Sequence, residues 1–253
     1  MSRNTTKTNY KHLWKSGLPA LLVLILIFVL SGPVAFGGTG AIQHQEQAAV
    51  LQQLQLFQGS TQGFDLDKVF TRAQGSVMLL RLLGWEDEAL KAGVKTNFSD
   101  VQASHWAASS IAYANSKGLV KGVSGTRFAP NETMNGAQFI TLSLRALGYT
   151  AAEPGKALEW CGISGLLADG EAAELIGQKV FLRDDMVAIA YKALSTKMYN
   201  SDKTLLQKLV EEDGSVSKAA ALASGLYKEQ PAAAVSNDPM DQIEAALRQA
   251  LKP

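Results

Sequence analysis

The sequence predicts a mostly α-helical protein built from three helix-loop-helix repeats. Residues 97–149 have the pattern of one helix, a glycine-containing loop and a second helix, with capping and turn residues at the expected ends. Parts of this unit recur on both sides, because residues 128–148 match residues 64–84 and residues 181–194 supply a third second helix. A single helix pair cannot bury both of its apolar faces, so we expect the copies to pack together.

Residues 1–37 have the pattern of an export signal. Basic residues precede an apolar run at residues 18–30, and small residues follow near Gly37. We predict cleavage after Gly37. Because the apolar run is close to the shortest length that spans a bilayer, an uncleaved membrane anchor is the alternative. Both interpretations place the repeats outside the cytoplasmic membrane.

The first predicted repeat spans residues 42–93. It begins with a glutamine-rich helix at residues 42–57. Thr71 and Gln74 have the spacing of a capping box at the start of its second helix. We predict that residues 86–93 form a polar linker. The front of this repeat is incomplete, because the equivalent positions would fall in the export segment.

The second predicted repeat spans residues 94–150. Its first helix is predicted to run from an N-cap at Ser104 to a left-handed residue at Gly118. Its second helix is predicted to begin at Asn135, with Gln138 three residues later completing a capping box.

The third predicted repeat, residues 151–228, diverges most from the others. Its first helix is predicted to end at Gly165, and the following loop, residues 170–182, is predicted to keep the length of the other two loops. The remaining predicted elements are a second helix at residues 183–197, two closing helices at 204–211 and 217–223, and a linker with a short amphipathic helix within residues 229–253.

Several short runs resemble the S-layer homology domain. They are Thr71-Arg72-Ala73-Gln74, Phe98-Ser99-Asp100-Val101, His105-Trp106-Ala107, Gly118-Leu119-Val120-Lys121-Gly122 and Phe128-Ala129-Pro130-Asn131. The resemblance covers roughly residues 42–225, and the middle repeat is the clearest match. It implies three tandem repeats packed as a pseudo-threefold trimer. It also implies non-covalent binding of acidic, often pyruvylated, secondary cell wall polysaccharide.

Arg72 is the first candidate site residue. It is predicted at the first position of a helix, where the positive end of the helix dipole disfavours a cation. A guanidinium there, beside free backbone N–H groups, could bind a carboxylate, and the resemblance places a ligand-binding arginine at this position. Arg183 occupies the matching place in the third repeat, although Asp184 and Asp185 could compete for it. In the second repeat, Gly136 occupies the matching position, and this repeat therefore lacks the cation.

Three further residues are candidates for glycan binding. Trp106 could stack on the apolar face of a sugar or could simply pack in the core. Asp100 could accept hydrogen bonds from sugar hydroxyls, or it could hold its loop by accepting them from backbone N–H groups. Lys121 is a weaker candidate for a second charge on the ligand. Trp85 and Tyr149 are predicted to be packing residues.

The composition argues against several other functions. A formal net charge of +1 argues against nucleic-acid binding through bulk charge. His12, His44 and His105 are not spaced as metal ligands, and no catalytic motif is recognisable, so we expect neither enzymatic activity nor a cofactor. The single cysteine, Cys161, is predicted to be a small buried hydrophobe rather than a reactive thiol.

These observations predict an exported protein of the bacterial cell wall or cell surface. The expected partner is cell wall polysaccharide, with another envelope protein as a further partner and membrane contact only through an uncleaved N-terminal segment. The alternative is a membrane-anchored structural module whose repeats bind protein and whose glycan sites have decayed. Retention of Arg72 with Trp106 favours the first interpretation. Loss of the cation at Gly136 favours the second.

Overall fold

The computed structural model describes residues 42–229, and this part of the chain is mostly helical. In chain order its α-helices are α1 (Gln45–Gln53), α2 (Arg72–Leu83), α3 (Glu86–Lys91), α4 (Ala108–Ser116), α5 (Gly136–Ala146), α6 (Ala157–Ser164), α7 (Asp169–Gly177), α8 (Arg183–Ser195), α9 (Leu205–Glu211) and α10 (Lys218–Ala223). A 3-10 turn, Pro154–Lys156, precedes α6. The predicted export signal and the C-terminal helix at residues 240–251 lie outside the described residues. Between residues 42 and 229, no helix is both long and apolar enough to cross a membrane.

Reciprocal side-chain caps start the second helices of the first two predicted repeats. The Thr71 hydroxyl accepts a hydrogen bond from the Gln74 N–H, and the Gln74 side chain accepts one from the Thr71 N–H at 3.0 Å. Asn135 and Gln138 make the same exchange at 2.9 and 3.0 Å. Both predicted capping boxes are therefore confirmed, and they define where α2 and α5 begin.

The core lies between the second helices of the predicted repeats. Helix α5 packs against both α2 and α8. The rings of Phe70, Phe139 and Phe181 are in mutual contact, with centroid separations of 5.3 to 6.1 Å. Phe70 and Phe181 directly precede α2 and α8, whereas Phe139 lies inside α5. The buried side chains form one apolar cluster, while the pseudo-threefold arrangement of the repeats stays a prediction.

Each of two helix starts is fastened to a neighbouring loop by backbone hydrogen bonds. The Arg72 N–H donates to the Glu132 carbonyl at 3.0 Å, and the Arg183 N–H donates to the Lys68 carbonyl at 2.9 Å. The next residue of each helix makes a second bond of the same kind. These bonds place both first-position arginines at boundaries between segments that are far apart in the sequence.

The predicted linker at residues 86–93 is wrong, because residues Glu86–Lys91 form helix α3. Ala89 buries its side chain against the core, and α3 packs on α4. The guanidinium of Arg81 holds the start of α3 through two bonds to the Glu86 carboxylate, at 2.8 and 2.9 Å. The sequence of this segment is mostly polar, so it gave no sign that one small apolar face of a helix would be buried.

The first helix of the middle repeat begins later than predicted. Ser104 lies in a turn, and α4 begins at Ala108 without a side-chain cap. His105 stabilises the turn instead, since its Nδ1 accepts a hydrogen bond from the Ala107 N–H at 3.1 Å. The predicted end is confirmed, because Gly118 follows the helix with a φ of +70°.

The third predicted loop is also wrong, because residues Asp169–Gly177 form helix α7, which packs on α5. The carbonyl of Leu175 lies so close to Gly136 that a Cβ atom on this glycine would be 2.1 Å from the oxygen. The first position of α5 therefore admits only glycine. Helix α7 occupies the space into which an arginine at this position would extend.

We predict that Cys161 reacts with thiol reagents only when the protein unfolds. Its side chain is fully buried in α6, and burial raises the pKa of the thiol to about 11, so the reactive thiolate is scarce at neutral pH. This raised pKa adds to the free energy of unfolding. The contribution is fully present below about 8.5, the pKa of a cysteine in the unfolded chain, and it is lost as the pH rises through the pKa of the folded state. Iodoacetamide labelling at pH 8, with and without urea, measures this protection. Equal rates in both conditions would contradict it.

Candidate functional site

Arg72 lies in a surface groove of about 340 Å³, a volume in the range of small-ligand sites. We call it the Arg72 groove. Four parts of the chain line it: the first turns of α2 including Arg72, the segment between α4 and α5, helix α5 itself, and residues 153–155. The charged residues of its lining are Arg72, Lys121, Arg145 and Glu153.

The protein positions the guanidinium of Arg72 with two carbonyl groups and an aromatic ring. Its Nε–H donates to the Phe128 carbonyl and its Nη2 donates to the Lys121 carbonyl, each at 2.8 Å. Its Cζ lies 4.6 Å from the centroid of the Phe128 ring. A guanidinium has five N–H donors, so three of them have no acceptor within the described residues 42–229.

Arg72 has no carboxylate within 4.0 Å among residues 42–229. Burial lowers the pKa of Arg72, while the more distant charges of Glu132 and Asp100 oppose that shift. Because an arginine remains protonated in proteins, the groove holds a half-buried cation without a close counter-ion. That charge favours binding of an anion.

The free helix N–H groups expected beside Arg72 are not free. The first two N–H groups of α2 donate to the loop at residues 130–132, and the third donates to the Thr71 hydroxyl. The helix terminus therefore offers no unoccupied backbone donor, so the expected contribution of free N–H groups to the site is wrong. At this helix start, the donors left for a ligand are those of the arginine side chain.

Arg183 lies in a second groove of about 300 Å³, the Arg183 groove. Its side chain is 13% exposed, and its Nη2 donates to the Gln58 carbonyl at 3.3 Å. Its Cζ lies 5.1 Å from the centroid of the Phe57 ring, and its Nε–H is buried without an acceptor. Arg183 is thus positioned by a loop carbonyl and a ring, as Arg72 is.

The expected competition of Asp184 and Asp185 for Arg183 is wrong. The Asp184 carboxylate accepts hydrogen bonds from the backbone and ring of His44, at 3.0 and 2.8 Å. Asp185 accepts one from the Leu182 N–H at 2.7 Å. The nearest carboxylate to Arg183 is instead that of Asp65, 3.7 Å from Nη1.

Trp106 lines the Arg183 groove rather than the Arg72 groove. Its side chain is 63% exposed, so the core-packing alternative is wrong. The ring of His105 stacks on it, with centroids 5.8 Å apart and an interplanar angle of 29°. An exposed, laterally supported indole beside a groove is suited to stacking on a sugar ring.

Lys121 lines the Arg72 groove, and Asp100 holds the loop that contributes Phe128 to it. Asp100 accepts hydrogen bonds from the Phe128 and Ala129 N–H groups at 2.9 and 2.8 Å, which agrees with its predicted loop role. Burial raises the pKa of Asp100, but these bonds outweigh it and lower the pKa overall. Lys121 lines the groove with an exposed side chain, and its carbonyl holds Arg72.

The structure therefore divides the predicted site residues between two grooves. Arg72 and Lys121 share one, Arg183 and Trp106 share the other, and Asp100 supports a loop. Within residues 42–229, no three His, Cys, Asp or Glu side chains cluster closely enough to hold a metal ion.

Sequence reasoning missed Arg145, which also lines the Arg72 groove. Its Nε and Nη2 donate to the Ala152 carbonyl at 3.2 and 3.0 Å, and its Nη1 donates to the Leu119 carbonyl. The available signal was the 64-residue offset, which aligns Arg145 with Arg81. An arginine in the last turn of a helix is common, so this signal alone did not suggest a site.

A sequence model of the S-layer homology domain matches residues 97–140. The chain is 35% identical to a "Cell surface protein" of Thermoanaerobacter kivui over 142 residues, which are 53% of this chain and 18% of that protein. It is 34% identical to a "Surface layer protein" of Brevibacillus choshinensis, over 39% of this chain and 9% of that protein. It is 30% identical to a "Cellulosome-anchoring protein" of Acetivibrio thermocellus, over 33% of this chain and 19% of that protein. The chain thus spans less than a fifth of each of these relatives.

Proposed function

We propose that this protein, an S-layer homology domain protein, is an exported module that attaches to the bacterial cell wall by binding acidic secondary cell wall polysaccharide non-covalently. The match at residues 97–140 and the relatives named for the cell surface, the surface layer and cellulosome anchoring support an anchoring role at the cell surface. Anchoring requires binding without chemical turnover, so we propose no enzymatic activity.

The half-buried cation of Arg72 is the observation that carries this proposal. Its guanidinium is held rigidly by two carbonyls and a ring, has three N–H donors to spare and has no close counter-ion among the described residues. A carboxylate on a sugar, including a pyruvate ketal, matches the planar fork of a guanidinium. The surrounding groove is large enough for about one sugar unit beside that contact.

The Arg183 groove is proposed as a second contact for the same polymer. Trp106 offers an aromatic face there, and Arg183 keeps a buried Nε–H without an acceptor. Two sites on one polymer chain strengthen attachment, because the second binding event becomes intramolecular. The start of α5 adds no third site, since α7 fills that space.

Sedimentation with purified wall sacculi tests the proposal. The full chain, kept in mild detergent, is expected to sediment with intact sacculi and to remain in solution with sacculi whose secondary polysaccharide has been stripped by hydrofluoric acid. Because the proposed contact is ionic, bound protein should be released as NaCl is raised. Equal binding to both kinds of sacculi would refute polysaccharide recognition.

A membrane-anchored protein-interaction module is the second candidate. The closed position at Gly136 favours it, because one of three equivalent helix starts has no arginine and no open groove. This candidate predicts no sedimentation with intact sacculi, together with retention of the chain in the membrane fraction of its host. Intact mass of the native protein decides whether residues 1–37 are removed.

A further inference from the structure

The Arg72 groove and the Arg183 groove are built from matching positions. Gly122 lines the first and Gly59 the second, at an offset of 63 residues, while Arg145 and Arg81 line them at an offset of 64. The two sites are therefore comparable in construction. A difference in how their arginines are paired with carboxylates can be attributed to a few residues.

Both arginines of the Arg183 groove have a carboxylate partner. Arg81 makes two bonds to Glu86, at 2.8 and 2.9 Å, and Arg183 lies 3.7 Å from Asp65. A ligand that binds in this groove would contact arginines that already form ion pairs with the protein's own carboxylates. A carboxylate ligand would have to compete with Asp65, whereas a neutral sugar could use the exposed face of Trp106.

Neither arginine of the Arg72 groove has such a partner. Within residues 42–229, no carboxylate lies within 4.0 Å of Arg72 or Arg145. Arg145 uses three of its five N–H donors on carbonyl groups, so two remain. The lining of this groove also contains Lys121 and the carboxylate of Glu153, so its formal charge is +2, the same as that of the Arg183 groove. The two grooves therefore differ in whether their arginines are paired with carboxylates, not in the formal charge of their linings.

We propose that the two grooves take different sugars: the Arg72 groove an acidic sugar, with Arg145 as the residue that sets the preference for a carboxylate, and the Arg183 groove a neutral sugar stacked on Trp106. The inference rests on the proposed function for glycan as the ligand. It adds that the polymer carries both kinds of unit. The linings differ accordingly: Trp106 lines the Arg183 groove, whereas Glu153 lines the Arg72 groove.

Two matched probes, methyl β-D-glucuronide and methyl β-D-glucoside, test the difference. They differ only in a carboxylate against a hydroxymethyl group. In ¹⁵N-labelled full chain, the amide signals of Gly122 and Gly59 report on the two grooves separately. We expect the glucuronide to bind at Gly122 about tenfold more tightly than the glucoside, the size of one charge-assisted contact. At Gly59 the two probes should differ by about twofold or less, because the charges there are already paired.

Variants of Arg145 separate charge from packing. Arg145→Gln is expected to reduce the glucuronide preference at Gly122 to about threefold or less, whereas Arg145→Lys, which keeps the charge, should retain most of it. Arg81→Gln is the matched control in the other groove and should leave the preference at Gly122 unchanged. The amide spectrum of each variant verifies that it is folded.

Equal preference at both glycines, no response at Gly122 to either probe, or an unchanged preference in Arg145→Gln would each overturn the inference. Sedimentation with sacculi measures the proposed function independently. If the chain does not bind sacculi but prefers the glucuronide at Gly122, wall binding is refuted and the difference between the grooves is supported. If the chain binds sacculi without that preference, wall binding is supported and the difference between the grooves is refuted.

Discussion

Replacing Arg72 with alanine is expected to weaken binding to wall sacculi by about tenfold to a hundredfold. The variant loses a charge-assisted contact to the ligand worth about 1.5 to 3 kcal/mol. It also loses the cation of Arg72, which among residues 42–229 has no carboxylate within 4.0 Å. Sedimentation of the full chain with a concentration series of intact sacculi measures the change.

The same variant is also expected to be less stable, by about 1 to 2 kcal/mol, because two hydrogen bonds to carbonyls and the contact with Phe128 disappear. An arginine that served only to bind a ligand would leave stability unchanged or slightly raised on removal, because it stands at the positive end of a helix. We expect a loss instead, because the Arg72 side chain also holds the loop that contains Lys121 and Phe128. A melting curve must accompany the binding measurement.

Two controls separate the roles of Arg72. Arg72→Lys keeps the charge without the planar fork, so its affinity should fall between those of the wild type and the alanine variant. Arg127→Ala removes a cation from an exposed side chain of the same loop and should leave binding within about twofold, because exposed ion pairs contribute little. If the Arg72→Ala protein is folded and binds sacculi as tightly as the wild type, Arg72 has only a structural role.

Replacing Gly136 with arginine is expected to destabilise the protein by about 3 kcal/mol or more and to create no additional binding site. The Cβ alone would lie 2.1 Å from the Leu175 carbonyl oxygen, a backbone atom that can move only if α7 shifts. Comparison of the three repeats alone would favour a gain of a third cationic site, because the matching positions are Arg72 and Arg183. The structure excludes that outcome, because α7 fills the space.

Urea denaturation followed by circular dichroism measures the effect. Gly136→Ala should already cost about 2 kcal/mol, since the clash begins at Cβ. Gly170→Ala is the matched control: it lies inside α7 with no atom within 4 Å of an added Cβ, so it should be neutral or stabilising by up to about 1 kcal/mol. Gly136→Arg that unfolds at the wild-type urea midpoint would show that α7 does not close this position.

The helix starts could be predicted because a cap depends on residues three positions apart. Thr71 with Gln74 and Asn135 with Gln138 form their reciprocal bonds whatever surrounds them. Helices α3 and α7 escaped prediction because packing on α4 and α5 stabilises them, and a short polar segment carries little sign of such a contact.

By itself, the sequence determined the helical class, the starts of α2, α5 and α8, many of the apolar core positions and the placement of Arg72 and Arg183 at first helical positions. The tertiary structure alone decided how the site residues group and which cations are neutralised. Arg72 donates to a carbonyl 49 residues away and Arg183 to one 125 residues away. Local patterns determine backbone conformation because its hydrogen bonds close within a few residues, whereas a groove and its charge depend on which distant segments fold against each other.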